Sequence, residues 1–294
     1  MAQNTQAAFV PKKRNYRESK SFNEKLVGTI ATIFLAFGAL LMLFPLLWMI
    51  STSLKGEAEV MINSSLIPWK VHLENYAIAW NAIPFSRYLA NSSFVTLLSV
   101  AGALVANSLV AYGFANFRFK GRNVIFLCVL GTMMIPTLVL MIPTYVVFSK
   151  IGWVGTYLPL IVPAFTGTAY YVFLLRQGFM GISRSYSEAA KIEGANELQI
   201  FARIQLPLVR PILTTVAVFE FNTKWNDYLT PMLYLNDEKL YTLQLGLRSF
   251  RGTAGVEWHK FMAASLMVLL PSVIIYFFLQ KYIIKSVAIG GVKG

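Results

Sequence analysis

Six long apolar segments limit what this chain can fold into. Each exceeds the roughly 18 residues that a helix needs to cross a bilayer. Only 13% of the 294 residues are charged, whereas soluble domains carry about 25%. The predicted spans are Leu26–Leu54, Leu89–Ala115, Val124–Phe148, Gly155–Leu175, Pro211–Leu235 and Phe261–Ile284. The sequence therefore predicts an all-α integral membrane protein with six transmembrane helices.

The distribution of Lys and Arg predicts how these spans are oriented. An even number of spans puts both termini on one side, which carries 17 of the 26 Lys and Arg residues, against 8 on the other side. Basic residues accumulate in cytoplasmic loops, so both termini are expected in the cytoplasm. The net charge of +13 then reflects topology and contact with lipid headgroups, and no binding to nucleic acid is expected. The predicted parts are a cytoplasmic tail (1–25), a transmembrane domain (26–294), external loops (55–87 and 236–260) and a cytoplasmic loop (183–211).

The 183–211 loop has the local signals of two short helices with a break between them. Ser185 and Glu188 have the spacing of a capping box, and Gly194 can take the positive φ that ends a helix. Asn196 offers a second N-cap, with Gln199 three residues later. The second helix is expected to stop at the prolines that follow, Pro207 and Pro211.

The same loop also keeps a longer fixed spacing. The positions concerned are Glu188, Ala189, Ala190, Gly194, Ile204, Leu206 and Pro207. This pattern resembles the EAA motif of the membrane subunits of bacterial ABC importers. The resemblance implies a type I importer permease fold whose cytoplasmic coupling helices dock onto an ATPase subunit, with these residues in the coupling role. Alternatively, Glu188 only caps a helix and Gly194 only ends one, although the two roles are compatible.

Polar groups enter the bilayer in the fifth predicted span, where an isolated charge costs several kcal/mol. Glu220 lies four residues before Lys224, and Asp227 three residues after it, so these groups could form an ion-paired stripe. The Trp-Asn-Asp run resembles a signature of sugar permeases, although Lys224 is unusual before that Trp. The expected substrate-path residues are Asn222, Lys224, Trp225, Asn226 and Asp227. Lys224 also suggests the hypothesis that the transported sugar is acidic, such as a uronate. The alternative is that Lys224 simply pairs with Glu220.

Further stretches resemble the maltose-type branch of sugar permeases. They are Leu73–Tyr76, Asn91-Ser92, Ala111–Arg122 (with Asn116 where Arg is usual) and Gly290–Gly294. For the first two, a turn with an interfacial aromatic explains the residues equally well. In these relatives the last external loop reaches the sugar-binding protein. By position, the expected contacts here are Gly252, Thr253, Ala254 and Gly255, with a plain surface loop as an equal alternative.

Motifs for chemistry are absent from the sequence. It contains no G-x-x-x-x-G-K-[ST] phosphate loop and no H-E-x-x-H metal motif, and its single cysteine, Cys128, excludes an intrachain disulfide. We therefore expect no catalytic site, no metal and no cofactor on this chain, with ATP and Mg²⁺ held by ATPase subunits.

The resemblance implies a permease subunit of a binding-protein-dependent sugar or oligosaccharide importer in the bacterial inner membrane. Its expected partners are a second homologous permease, two ATPase subunits, an extracytoplasmic solute-binding protein, the lipid bilayer and the sugar. Three alternatives remain open at this point. They are an ABC importer for a non-sugar solute, an ion-coupled secondary carrier that titrates Glu220 and Asp227, and a membrane enzyme.

Overall fold

The computed structural model describes residues 22–252 and 255–291. The described chain is mostly helical, because a segment in lipid must satisfy its backbone N–H and C=O groups internally. Its helices are α1 (Phe22–Ser53), α2 (Glu57–Ile62), α3 (Glu74–Ala82), α4 (Phe85–Asn116), α5 (Arg122–Gly131), α6 (Thr137–Lys150), α7 (Leu158–Ile161), α8 (Ala169–Met180), α9 (Ser185–Ile192), α10 (Glu197–Gln199), α11 (Leu206–Leu208), α12 (Arg210–Trp225), α13 (Leu229–Tyr234), α14 (Leu243–Gly246) and α15 (Trp258–Gly291). By internal contacts the chain separates into two compact units, one ending at Trp48 and the other beginning at Met49.

Six crossings of a membrane are present if each bent pair of helices counts as one crossing. The helical stretches that are long and apolar enough by themselves are Leu26–Ser53, Phe85–Asn116, Leu158–Met180 and Trp258–Lys281. The bent pairs are Arg122–Met134 with Thr137–Lys150, and Glu197–Leu208 with Arg210–Trp225. The all-α membrane fold is therefore confirmed in outline, and three of its spans differ from continuous helices.

The third predicted span, Val124–Phe148, is wrong as a continuous helix. Its two halves, α5 and α6, meet at an angle of 100°. Pro136 precedes α6, and Ile135 before it has φ −85° and ψ 118°, which is extended backbone. Proline disfavours the helical region for the residue before it, so the chain bends at this point.

The fourth predicted span, Gly155–Leu175, is broken before α8. A 3-10 segment, Val162–Phe165, follows α7, and Gly167 then takes φ +91°. The backbone N–H of Thr168 donates to Asn107 Oδ1 at 2.7 Å, and Asn107 is fully buried in α4. A buried amide of a neighbouring helix thus satisfies backbone that the break leaves without an intrahelical partner.

The fifth predicted span, Pro211–Leu235, ends early as a helix. α12 stops at Trp225, and α13 begins only at Leu229. Asp227 lies in the gap, where its Oδ1 accepts the backbone N–H of Thr230 at 3.0 Å. Asp227 therefore caps a short helix instead of lying within a long one.

Polar side chains tie the segments predicted to be external to the ends of the long helices. Asn75 Nδ2 donates to the carbonyl oxygens of Ser53 at 2.9 Å and Lys55 at 2.8 Å. Asn91 Nδ2 donates to those of Lys239 and Tyr241, both at 2.9 Å. These contacts give the Leu73–Tyr76 and Asn91-Ser92 stretches a structural role.

The last loop predicted to be external ends in a two-stranded antiparallel hairpin. Its strands are β1 (Arg251–Gly252) and β2 (Gly255–Val256), and Gly252 pairs with Gly255. Thr253 and Ala254 lie outside the described residues, as do residues 1–21 of the predicted tail and residues 292–294.

Candidate functional site

The first helix of the 183–211 loop starts differently from the prediction. Ser185 is the first residue of α9, and Arg184 before it forms no side-chain cap, so the predicted Ser185–Glu188 capping box is wrong. Instead, Ser183 Oγ accepts the backbone N–H of Ser185 at 3.4 Å and bonds to its hydroxyl at 2.8 Å. Glu188 lies on an exposed turn of α9.

Gly194 ends α9 as predicted. Its φ is +84°, and a Cβ added there would meet nothing within 4 Å. The Gly194 N–H donates to Lys191 O at 3.0 Å, and the Ala195 N–H donates to Ala190 O at 2.9 Å. These two bonds form a Schellman motif, which satisfies carbonyls at the helix end. Backbone conformation, and not space, is what selects glycine here.

The second half of the loop begins with the predicted Asn196 capping box, in which Asn196 and Gln199 exchange two bonds of 2.9 Å. A π-helical segment, Ile200–Gln205, follows it. As predicted, this helical stretch ends at the prolines: it stops at Leu208, one residue after Pro207. Pro211 lies in the first turn of α12, where a missing N–H breaks no intrahelical bond. The chain bends by 79° between the two helical stretches.

Two sets of hydrogen bonds tie the loop together and to the end of α4. In the first, Tyr112 Oη donates to Glu197 Oε2 at 2.9 Å. Glu197 also forms an ion pair with Lys191 Nζ at 2.6 Å, which connects the two halves of the loop. The Tyr112 ring packs against Phe179 and Phe201 at centroid distances of 5.7 and 5.0 Å.

In the second set, Gln205 is buried at the centre of the loop. Its Nε2 donates to Ser187 Oγ at 2.8 Å and to Asn116 Oδ1 at 3.0 Å, and Asn116 Nδ2 returns a bond of 3.0 Å to Gln205 Oε1. Asn116 is the residue that replaces the family's usual Arg, and here it pairs with an amide. Both halves of the loop are thus joined to the membrane helix α4.

The outer surface of the loop carries large exposed apolar side chains among its polar ones. Exposed fractions are 88% for Ile192, 68% for Leu198 and 55% for Tyr186. Glu188 is also exposed, and it forms no ion pair within the described residues. Large apolar side chains on a polar loop are typical of a surface that binds another protein.

The motif residues divide between this surface and the interior of the loop. Glu188, Ala189 and Gly194 are exposed, Ala190 is buried, and Ile204, Leu206 and Pro207 are half-buried. The motif thus supplies both the framework of the loop and part of its accessible face.

The expected ion-paired stripe on α12 is not present in the described structure. No ion pair within 4 Å joins Lys224 to Glu220 or Asp227 there. Lys224 Nζ instead donates to the carbonyl oxygen of Leu160 at 2.9 Å. Leu160 lies in α7, and its carbonyl oxygen also accepts a bond from Ser99 Oγ of α4 at 3.4 Å. The carbonyl that accepts from Lys224 is therefore shared between α12 and α4.

The other predicted path residues have mixed surroundings. Trp225 is buried, and its Nε1 donates to Val268 O at 2.9 Å. Asn222 bonds to the carbonyl of its own helix at Val218, at 3.1 Å. Asn226 is exposed and accepts a bond from Gln244 Nε2 at 3.2 Å. Trp225 and Asp227 thus support the structure, while Asn222, Lys224 and Asn226 are at least partly accessible.

Several residues at this site were not identified from the sequence: Tyr112, Ser187, Lys191, Glu197, Gln205, Tyr186, Ile192 and Leu198. The first five form bonds between the two halves of the loop or between the loop and α4, which no pattern within one helix reveals. The last three had a usable signal, because large apolar residues in a polar loop are unexpected unless they are buried or bind a partner.

Comparisons with known proteins agree with this geometry. Residues 99–289 match the family described as the inner membrane component of binding-protein-dependent transport systems. The chain is 34% identical over 273 residues to the arabinooligosaccharides transport system permease protein AraQ of Halalkalibacterium halodurans, covering 92% of this chain and 98% of the relative. It is 33% identical over 270 residues to the trehalose/maltose transport system permease protein MalG of Thermococcus litoralis, covering 89% and 97%.

A third relative differs in its named solute. It is the sn-glycerol-3-phosphate transport system permease protein UgpE of Yersinia pestis, 31% identical over 273 residues and covering 90% of this chain and 97% of the relative. Among solved structures, a bacterial ABC transporter involved in the import of the acidic polysaccharide alginate superposes with a TM-score of 0.80. That likeness has 26% identity and covers 89% of this chain and 98% of the other.

The likeness extends over nearly the full length of these relatives and includes the loop that carries the EAA motif. The type I permease fold expected from the sequence is therefore confirmed. This protein belongs to the family of inner membrane components of binding-protein-dependent transport systems, as a permease subunit of an ABC importer.

Proposed function

We propose that this permease forms half of the translocation path of a carbohydrate importer and is moved by ATPase subunits through the 183–211 loop. The observation that carries the proposal is the loop itself. Its exposed apolar residues, such as Ile192, offer a docking surface, and its buried bonds from Glu197 and Gln205 join that surface to α4. Movement imposed on the loop would thus be passed to a membrane helix.

The proposed assembly contains a second homologous permease, two ATPase subunits and an extracytoplasmic solute-binding protein. ATP and Mg²⁺ belong to the ATPase subunits, and this chain contributes no catalytic group and no cofactor. Both termini and the 183–211 loop face the cytoplasm, and the hairpin around Gly252 and Gly255 faces the binding protein. ATP drives transport because it favours one conformation of the assembly over the other.

The named solutes of the relatives support a sugar or oligosaccharide as the cargo. Arabinooligosaccharides and trehalose or maltose are carbohydrates. UgpE, whose named solute is sn-glycerol-3-phosphate, supports a phosphate ester as the second candidate. Uptake of labelled maltooligosaccharides, arabinooligosaccharides and sn-glycerol-3-phosphate by the intact assembly distinguishes these classes.

Coupling is tested with Glu188→Ala in the complete assembly, by measuring ATP hydrolysis stimulated by the binding protein. Glu193→Ala is the matched control, because Glu193 is an exposed acidic residue of the same loop outside the motif. We expect stimulation to be lost only in Glu188→Ala while the subunits still insert. Normal stimulation in that variant, or no ATPase co-purifying with the wild-type chain, would contradict the proposal.

An acidic sugar is the narrower candidate for the cargo, and Lys224 supports it. An ammonium group has three donors, and one of them is used by the Leu160 carbonyl. The similar solved structure belongs to an importer of acidic alginate. We expect Lys224→Gln to lower uptake of acidic relative to neutral oligosaccharides. An unchanged ratio would leave Lys224 with a structural role alone.

A further inference from the structure

A cavity of about 520 Å³ opens at the turn between α4 and α5, on the side predicted to face the cytoplasm. Its lining includes Arg118, Phe119, Gly121, Arg122, Val124 and Arg184. The first five belong to the turn and the start of α5, and the last immediately precedes α9 of the coupling loop. The transport mechanism proposed above gives this cavity no role.

The charge of the cavity is positive and is not balanced by nearby carboxylates. No acidic residue lines it, and within the described residues no ion pair engages Arg118, Arg122 or Arg184. Arg122 Nη1 donates to the carbonyl oxygen of Phe117 at 3.2 Å. Arg176 adds a further positive charge close enough to interact with Arg122. Three guanidinium groups around one cavity favour an anion that can accept several of their hydrogen bonds, as a phosphate group does.

Apart from Asn123, the rest of the lining is apolar and continues onto a surface that faces outward. Phe119 and Val124 have exposed fractions of 46% and 65%. Ile125 and Leu127 extend this exposed apolar surface along α5. A ligand that fits both parts has a phosphate group at one end and a hydrocarbon chain at the other, as an anionic membrane lipid does.

We propose that this cavity binds the phosphate headgroup of an anionic lipid from the adjacent leaflet. The arginines hold the phosphate oxygens, and the acyl chains lie along Phe119, Val124 and the exposed face of α5. A bound lipid would connect the α4–α5 turn to Arg184 and hence to the start of the coupling loop. The inference goes beyond the proposed function, and it holds or fails independently of which solute is carried.

The test uses the purified full chain in neutral detergent, titrated with phosphatidylglycerol and observed by native mass spectrometry. A basic residue close to an anionic lipid contributes about a fivefold change in affinity. We therefore expect Arg122→Gln with Arg184→Gln to weaken binding by about 25-fold. Arg184→Gln alone, at an exposed position, should weaken it about fivefold, which keeps the test decisive if the double variant does not fold. Lys120→Gln is the matched control, because Lys120 lies in the same turn but does not line the cavity.

Inorganic phosphate separates the lipid from a free anion. We expect millimolar phosphate to leave bound phosphatidylglycerol in place. We also expect Phe119→Ser to weaken the binding of phosphatidylglycerol but not the binding of inorganic phosphate. Displacement of the lipid by phosphate would overturn the proposal in favour of a free anion. Equal effects of Lys120→Gln and Arg184→Gln would overturn it in favour of diffuse attraction. Unchanged lipid binding in Arg184→Gln, with loss of ATPase co-purification, would assign the arginines to a protein interface.

Discussion

Individual side chains at this site connect segments that are far apart in the sequence. Tyr112 illustrates this, because its ring packs in an aromatic cluster while its hydroxyl bonds to Glu197 of the loop. Lys224 is a second example, since its ammonium group bonds to the carbonyl oxygen of Leu160, 64 residues earlier in the chain. At this scale the proposed coupling path consists of a few hydrogen bonds.

Removing the Tyr112 hydroxyl should loosen the loop without unpacking the core. A hydrogen bond to a charged group contributes about 1.5–3 kcal/mol, so Tyr112→Phe should speed amide hydrogen exchange in residues 197–205. Hydrogen exchange read by mass spectrometry checks this. Tyr170→Phe is the control, because Tyr170 is exposed. Equal exchange in the wild type and Tyr112→Phe would show that packing alone holds the loop.

Glu59 provides a pH-dependent prediction in the loop between α1 and α4. Burial by itself raises the pKa of the Glu59 carboxyl, but hydrogen bonds from the Trp69 backbone N–H and the Asn63 amide, with the charge of Lys55, lower the pKa overall. A lowered pKa in the folded state means that the carboxylate stabilises the fold above its unfolded-state pKa. That stability is lost as the pH falls through the folded-state pKa.

The expected result is that Glu59→Gln lowers the thermal unfolding midpoint at pH 7, and that its difference from the wild type shrinks as the solution becomes acidic. Thermal unfolding of both proteins in detergent at several pH values measures this. Glu57 is exposed in the same helix, so Glu57→Gln should change the unfolding midpoint little at any pH. A constant difference for Glu59→Gln would rule out the ionic origin.

At the scale of elements, the loop is a bent pair of short helices whose geometry depends on special backbone. Gly194 supplies a positive φ, and the π-helical segment Ile200–Gln205 leads into the 79° bend before α12. A wide helical turn of this kind often occurs at functional sites. The bend lets one half of the loop lie against α4 while the next helix enters the membrane.

A graded series at Gly194 tests whether the turn must be left-handed. Non-glycine residues there cost about 1–2 kcal/mol, and Asn tolerates the conformation best. We expect stimulated ATP hydrolysis in the complete assembly to fall in the order Gly, Asn, Ala, Val. A Cβ atom at Gly194 would meet nothing within 4 Å, so the loss expected already in Gly194→Ala reflects backbone conformation. Equal activity of Gly194→Asn and Gly194→Val would contradict this explanation.

The whole molecule is a six-span membrane protein in which half-buried helices remain to be covered by lipid or by other subunits. In the candidate spans the buried share is 44% for Phe85–Asn116 and 22% for Trp258–Lys281. The remaining apolar surface agrees with a subunit that works in a larger assembly within a bilayer.

The predicted orientation places the 183–211 loop in the cytoplasm and the 55–87 loop outside. In a Cys128→Ser background, a cysteine at Tyr186 should react with an impermeant maleimide only after access to the cytoplasmic side. A cysteine at Lys70 should react from outside in intact cells. Tyr186 and Lys70 are both exposed, so differences in labelling report the side of the membrane. Labelling of the Tyr186 position in intact cells would show that the topology is the reverse of the predicted one, and it would contradict the proposed coupling role.

By itself, the sequence determined the membrane class, the number of spans, the Gly194 turn and the Asn196 capping box. These features depend on local hydrophobicity and on backbone preferences within a few residues. The predicted Ser185–Glu188 capping box is wrong, because Ser185 already lies within α9 and its backbone N–H bonds to the Ser183 hydroxyl.

Only the tertiary structure decided where the spans break and what the intramembrane polar groups bond to. The chain bends near Pro136 and Pro207, whereas Pro143 and Pro271 lie inside helices without ending them, so a proline in the sequence does not by itself show where a span breaks. Lys224 likewise bonds to Leu160 because the fold brings α7 and α12, which are distant in sequence, next to each other. Such contacts depend on packing across the whole chain, and residue spacing within one helix cannot specify them.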